Sequence, residues 1–233
     1  MFRNQRVIAL VPARGGSKGV PRKNLVPVGT KSLLQRAIAS AQQCGLVDVV
    51  VVSTNDARIA EAASTDGALV QARSEWASTD QSTAGDVMSE FVDWCRRENV
   101  VDDSYIVYLQ PTSPLRTAEH IAGAFKLLEQ TGSDTCVSVV ENEHTPFKAL
   151  RISDDGSITP LFDETSLTAN RQSLPATYRP NGAIYIFPLH QFARDQQIPI
   201  TGAVPFIMSS ESSIDIDTPF DIVMAELYLK EAE

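Results

Sequence analysis

Two stretches of this chain combine residue types that handle anions and metal ions. The first is residues 12–24, PARGGSKGVPRKN, in which Gly15, Gly16 and Gly19 stand among the cations Arg14, Lys18, Arg22 and Lys23. Glycines let a backbone approach a ligand closely and present N–H groups in a concave array. Cations beside such an array suit a polyphosphate. The stretch is neither a full GxGxxG nor a Walker loop, because no Gly-Lys-Ser/Thr closes it. Pro21 opposes an immediate helix, so the loop is expected to wrap round its ligand rather than cap it with a helix N-terminus. A solvated basic turn would have the same composition. The second stretch is SIDID, residues 213–217. In extended backbone Asp215 and Asp217 share one face, and Ile214 and Ile216 the other. Two such carboxylates with no adjacent cation are costly unless a cation or solvent lies between them. A Mg²⁺ held by one or two carboxylates plus phosphate oxygens fits that need. An acidic turn that complements the dipole of a following helix fits the spacing equally well.

Other chemistries find less support. His120, His144 and His190 have no partner at ligand spacing and read as satisfied or exposed side chains. There is no GxSxG and no legible Cys–His pair. Thr112 and Ser113 sit beside prolines and are expected to shape a loop or donate hydrogen bonds. Cys44, Cys95 and Cys136 are scattered, with no CxxC, which suggests buried thiols in a reducing compartment. The net charge of −9 argues against a nucleic-acid partner. It leaves room for a small anion where positive charge is concentrated locally, as in residues 14–23. No signal peptide and no apolar run near ~18 residues is present, so the expectation is a soluble cytoplasmic protein with no membrane partner.

The elements that would position these groups follow from hydrophobic periodicity. Residues 7–11 are a β-branched run that reads as a buried first strand of a parallel sheet. Helical spacing over 32–44 ends at Gly45. Residues 48–53 (DVVVVS) form a second buried strand, 55–64 a short helix and 68–71 a short strand. A polar loop, 73–82, leads to a helix over 83–97 with Val87, Phe91 and Trp94 on one stripe. A strand at 104–109 opens into the loop 110–116, followed by a helix over 117–130 and a strand over 134–140. The alternation predicts an open parallel α/β sheet with helices on both faces. Ligands in such sheets bind outside the carboxyl ends of the strands, which brings the loops 14–24, 73–82 and 110–116 together. From 141 to 180 the rhythm breaks, with a hairpin signal at Asp155-Gly156 inside residues 149–162. Leu150, Ile152, Ile158, Leu161 and Phe162 need a surface to cover them, and the excursion is too long for a plain connection. Strands are expected at 182–187 and 204–208. A closing helix follows, with Thr218, Pro219 and Asp221 at its start and Phe220, Val223, Met224 and Leu227 as its apolar stripe.

Taken in order, PARGGSKGVPRKN (12–24), LQPTSPLR (109–116), RQSLPATYRPNGAIYI (171–186) and SIDIDTPFD (213–221) resemble the acylneuraminate cytidylyltransferases, the CMP-sialic acid and CMP-nonulosonic acid synthetases. The resemblance spans nearly the whole chain. It implies a three-layer α/β fold of the nucleotide-diphospho-sugar transferase type, formed by residues 1–140 and 181–233, with 141–180 inserted as a β-hairpin dimerisation arm. It implies transfer of CMP from CTP to the anomeric 2-hydroxyl of a nine-carbon keto-sugar acid, with Mg²⁺ and release of pyrophosphate, by a homodimer. By matching position, Arg14, Gly15, Gly16, Ser17, Lys18, Lys23 and Asn24 would hold the triphosphate. Arg73, Asp80, Ser82 and Thr83 would hold the cytidine, although DQSTA at 80–84 departs from the DTASS frequent in the family. Gln110, Arg179, Asn181 and Tyr185 would face the sugar, with Lys148 and Arg171 reaching it from the partner subunit. Asp215 and Asp217 would bind the metal, and with Arg14 and Lys23 form the catalytic set. The alternatives are a cytidylyltransferase for another keto-sugar acid such as 3-deoxy-manno-octulosonate, whose loop resembles ARxxSxRxPxK without GGSKG, or a catalytically silent nucleotide-binding protein.

Overall fold

The computed structural model describes residues 1–17, 19–100 and 103–231. The first strand, β1 (Val7–Pro12), is buried along almost its whole length and lies inside the sheet. A small β-ribbon follows, β2 (Pro27–Val28) with β3 (Lys31–Ser32). Ser32 then caps α1 (Leu33–Gln43) through a capping box with Gln35. β4 (Val49–Thr54), α2 (Ala57–Thr65), β5 (Leu69–Ala72), α3 (Ala84–Arg97), β6 (Tyr105–Tyr108), α4 (Ala118–Thr131) and β7 (Cys136–Glu141) continue the alternation. The excursion carries the hairpin β8 (Leu150–Ile152) and β9 (Ile158–Pro160), then the short α5 (Glu164–Thr168). The chain closes with β10 (Tyr178–Pro188), α6 (Leu189–Asp195), β11 (Val204–Ile207) and α7 (Pro219–Glu231).

Seven strands form the central sheet in the order β11-β7-β10-β6-β1-β4-β5. Only β10 runs antiparallel to its neighbours. Alternate residues of β1 face opposite cores, as the pleat requires. Val7, Ala9 and Val11 pack with the inner faces of α1, α2 and α4. Ile8 and Leu10 pack with Met88, Phe91 and Val92 of α3 and with Leu189 and Phe192 of α6. The three-layer α/β expectation therefore holds.

Two expectations change. The return strand begins at Tyr178 rather than at residue 182, because Tyr178 and Arg179 pair with Glu141 and Val140 at the edge of β7. The excursion is thus rooted in the sheet through an extended two-stranded stem. The closing helix packs on Val28, Leu33 and Ile216 through Ile222, Ala225 and Leu229. Phe220, Val223 and Leu227, which lie on the expected stripe, remain exposed at 69%, 52% and 50%. α7 is apolar on two sides, so periodicity alone could not tell which side meets the core. The hairpin residues Leu150, Ile152, Ile158, Leu161 and Phe162 are also exposed within the single chain. Phe162 leans on Phe147, with ring centroids 5.1 Å apart.

Candidate active site

The loop after β1 is held open by contacts with its neighbours. The Asn24 amide donates to the Arg14 carbonyl at 2.9 Å, and the Gly15 N–H donates to Asn55 Oδ1 at 3.0 Å. Arg22 adopts a left-handed φ of 54°, which turns the chain into the short 3₁₀ segment Lys23–Leu25. At Gly19 any Cβ would run into the carbonyl oxygen of Asp217, so the absence of a side chain lets the loop lie against the acidic segment. Lys18 falls outside the described residues.

The acidic segment is extended as its alternation predicts. Ile216 is fully buried, and its N–H donates to the Thr112 carbonyl at 2.9 Å. The cation that the paired carboxylates call for is supplied on one side by a distant lysine. Lys23 Nζ donates to Asp217 Oδ1 at 2.9 Å and to the Ile216 carbonyl at 2.8 Å. Asp215 is exposed along one side, yet the protein packed round its carboxyl withdraws water and raises its pKa. A hydrogen bond from Thr112 acts in the opposite direction, and the negative charge of Asp217 adds to the rise. Asp221 holds the end of this segment, its Oδ2 accepting from Asp217 N at 3.0 Å and from Thr218 N at 2.7 Å.

These groups border a cavity of about 320 Å³ at the carboxyl edge of β1, β4, β5 and β6. Arg14, Gly16, Ser17, Lys23, Asn24, Arg73, Ser82, Thr83, Gln110, Asp215 and Asp217 all line it. Arg14 spans its mouth, with Nη1 bonded to the Thr79 carbonyl at 2.8 Å and paired with Asp80 Oδ1 at 2.8 Å. Thr83 caps α3 and shares a capping box with Asp86. Arg73 is 7% exposed, and burial lowers its pKa. Gln110 is set by Arg116, whose buried guanidinium donates to the carbonyls of Gln110 at 2.9 Å and Ala183 at 3.0 Å. A second cavity, about 550 Å³, adjoins the first through Asp215 and is lined also by Arg179, His144, Asp221 and Tyr228.

The remaining sequence candidates are placed differently. Asn181 is 4% exposed, and its side chain is taken up by hydrogen bonds within the protein. Its Oδ1 accepts from Ser138 Oγ and the Ala183 N–H, and its Nδ2 donates to Ser213 Oγ. These bonds brace the bulge of β10, where Gly182 adopts a φ of 78°. Tyr185 is half-buried, edge-on to Tyr108 with centroids 6.1 Å apart. Lys148 and Arg171 lie together in a cavity on the arm that excludes Arg14, and Lys148 Nζ donates to the Ala169 carbonyl at 2.6 Å. Sequence reasoning missed Tyr108, which lines the cleft but reads as strand core, and Asp221, which read only as a cap and borders the second cavity. Among the described residues no group of three or more His, Cys, Asp or Glu gathers as a metal cage. Two carboxylates bordering an anion-sized cleft still suit Mg²⁺, which keeps waters and phosphate oxygens as its other ligands.

Fold and cleft together define a class: an open, three-layer α/β protein with a basic, carboxylate-bearing cleft at the carboxyl edge of its sheet, where such folds bind ligands. The model of the cytidylyltransferase family matches residues 8–209, and the chain belongs to that family. It is 32% identical to an N-acylneuraminate cytidylyltransferase of Escherichia coli, over 94% of this chain and 51% of that protein, so the chain spans about half the length of this relative. It is 33% identical to a CMP-N,N'-diacetyllegionaminic acid synthase of Legionella pneumophila, covering 95% of both chains. Among solved structures, a CMP:2-keto-3-deoxy-manno-octonic acid synthetase complexed with CTP shares the fold, with a TM-score of 0.69 at 15% identity over 98% of this chain and all of that one.

Proposed function

We propose that this chain transfers CMP from CTP to the anomeric 2-hydroxyl of a nonulosonic, sialic-type acid and releases pyrophosphate. The observation that carries this reading is the pair of adjoining cavities that share Asp215, one lined by Arg14, Lys23 and Arg73, the other roomy and polar. The names of the similar N-acylneuraminate, legionaminic acid and pseudaminic acid enzymes support the acceptor class.

In this reading Arg14, Lys23 and the backbone of residues 15–17 receive the triphosphate, with Asn24 fixing the loop that presents them. Arg73 and the segment 80–83 receive the cytidine. Gln110, Arg179 and the Tyr108–Tyr185 pair border the acceptor. Bringing two anions together is the main cost of the reaction, and fixed cations offset it without reorganising. Lys23, paired with Asp217 at 2.9 Å, is in this reading the cation that meets charge building on the departing pyrophosphate. Asp215 and Asp217 are the residues that would hold Mg²⁺, which when bound supplies positive charge to the phosphate oxygens. The same reading makes the protein a cytoplasmic homodimer. The exposed apolar hairpin supports the dimer, and three buried, free cysteines support a reducing compartment.

The test is a pyrophosphate-release assay with each nucleoside triphosphate against a panel of nine-carbon keto acids. CTP with one or more of these acids is expected to turn over, with little release from ATP or GTP, because a site built to pair specific base edges rejects analogues strongly. Equal rates with all four nucleotides would overturn the reading.

A further inference from the structure

Behind the wall of the nucleotide cleft lies a set of buried polar atoms with no hydrogen-bond partner. They are Arg73 Nε and Nη2, Glu90 Oε2, Ser74 Oγ, both amide atoms of Gln71, and Ser53 Oγ. Gln71 and Ser53 are fully buried and are cross-strand partners in β5 and β4. Gln71 and Arg73 are two positions apart, with Ala72 between them, so both point to the α3 side of the sheet. Glu90 approaches from α3, and its Oε1 accepts from the Ser74 N–H at 2.9 Å, the residue directly after Arg73. One carboxylate oxygen is thus tied to the backbone beside Arg73 while the other is buried and free. Most buried polar groups are satisfied, and a cluster of orphans that includes a buried guanidinium and a carboxylate oxygen, not in direct contact with each other, calls for a reason. Burial lowers the Arg73 pKa and the Arg14 charge adds to that, while Tyr108 and, after it, the charge of Glu90 raise it again.

We propose that Glu90 is a positioning residue for Arg73. Its carboxylate compensates the buried guanidinium from behind and keeps Arg73 in the wall of the cleft, facing the nucleotide. Without that charge the desolvated cation loses the carboxylate behind it and swings toward water, because a buried charge left uncompensated is costly. The inference rests on the nucleotide reading of the cleft. A role for Glu90 limited to holding Ser74 is the competing explanation, and Glu90→Gln separates the two, since glutamine keeps the oxygen that accepts from Ser74 N and loses only the charge.

The experiment is a double-mutant cycle read by calorimetric CTP binding to the full chain. Glu90→Gln is expected to raise the Kd for CTP about tenfold, within the coupling range of residues in one network. Arg73→Met is expected to weaken CTP binding on its own and to cancel the effect of Glu90→Gln. Equal effects of Glu90→Gln in the wild-type and Arg73→Met backgrounds, no effect at all, or tighter binding would overturn the proposal. Should Glu90→Gln alone fail to fold, the proposal requires that adding Arg73→Met restore folding, and a double variant that stays unfolded would overturn it. Wild-type protein that binds no CTP would instead refute the nucleotide reading itself.

Discussion

At the scale of single residues, the site is a balance of charges within one cleft. Lys23 neutralises Asp217, Arg14 pairs with Asp80, and Asp215 is held among Thr112, Tyr185 and Asp217. Replacing Asp217→Asn removes a charge while leaving the Thr218–Asp221 cap intact. In the proposed reaction kcat should fall by ~10²-fold or more, because charge stabilisation is lost in the transition state. Steady-state kinetics at limiting Mg²⁺ checks this, and an unchanged kcat would return the pair to the status of a solvated turn. Gly19 tests the same geometry from the other side. Gly19→Ala must push the 213–217 segment away from the phosphate loop. A displacement of about 1 Å costs on the order of 10²-fold in rate. Circular dichroism should show an intact fold, and near-normal turnover would mean the loop and the acidic segment are free to separate.

At the scale of elements, the loops are held by the caps of the helices that follow them. Asp56 is the N-cap of α2, accepting from Arg58 N at 2.8 Å, and Asn55 beside it anchors Gly15. The hydrogen bond from the Arg58 side chain, against a smaller cost of burial and helped by the backbone N–H groups, lowers the Asp56 pKa from 3.8 to about 2. A depressed carboxylate pKa gives stability that is present above the unfolded value and lost as pH falls through the folded one. Asn caps helices as well as Asp does, so Asp56→Asn removes only the ionic part. The variant should melt below wild type at pH 7, and the gap should close between pH 3.8 and about 2. A gap independent of pH in thermal melts would show that shape rather than charge matters there. Much of this gain is screened, since Arg58 is half exposed.

At the scale of the whole molecule, two groups of exposed apolar side chains stand out, one on the hairpin and its flanks and one on the outer side of α7. Ile152 is 78% exposed and Phe220 69%. A two-fold dimer that covers the hairpin would make each site composite, with Lys148 and Arg171 acting across the interface. Mixing Lys23→Ala with Arg171→Ala subunits tests this. With random exchange about half the dimers are mixed and half of their sites intact, so activity should recover to ~25% of wild type. If Arg171 serves its own subunit, every site keeps a lesion. No recovery, with exchange verified by differently tagged subunits, would discard the shared-site model.

What the amino-acid sequence determined by itself was set by local periodicity and by residue type. The strand at residues 7–11, the helices after each loop, the cap at Thr218 and Asp221 and the two-sided alternation of residues 214–217 all follow from side-chain spacing, and the structure reproduces them. The meeting of the loops at 14–24, 73–82 and 110–116 followed from the parallel order of strands. Three features needed the tertiary structure. Lys23 lies 194 residues from Asp217 in sequence, so their pairing depends on how β1 and α7 are brought together. Asn181 reads as a polar residue near the site, but the bulge of β10 turns it inward, where Ser138 and Ser213 satisfy it. The bond from the Ser74 N–H to Glu90 joins the exit of β5 to α3, and no spacing along the chain encodes a contact between two separate elements. Local patterns specify elements because their forces act between near neighbours. Charge pairs and bulges are decided by packing, which brings together residues that the sequence keeps far apart.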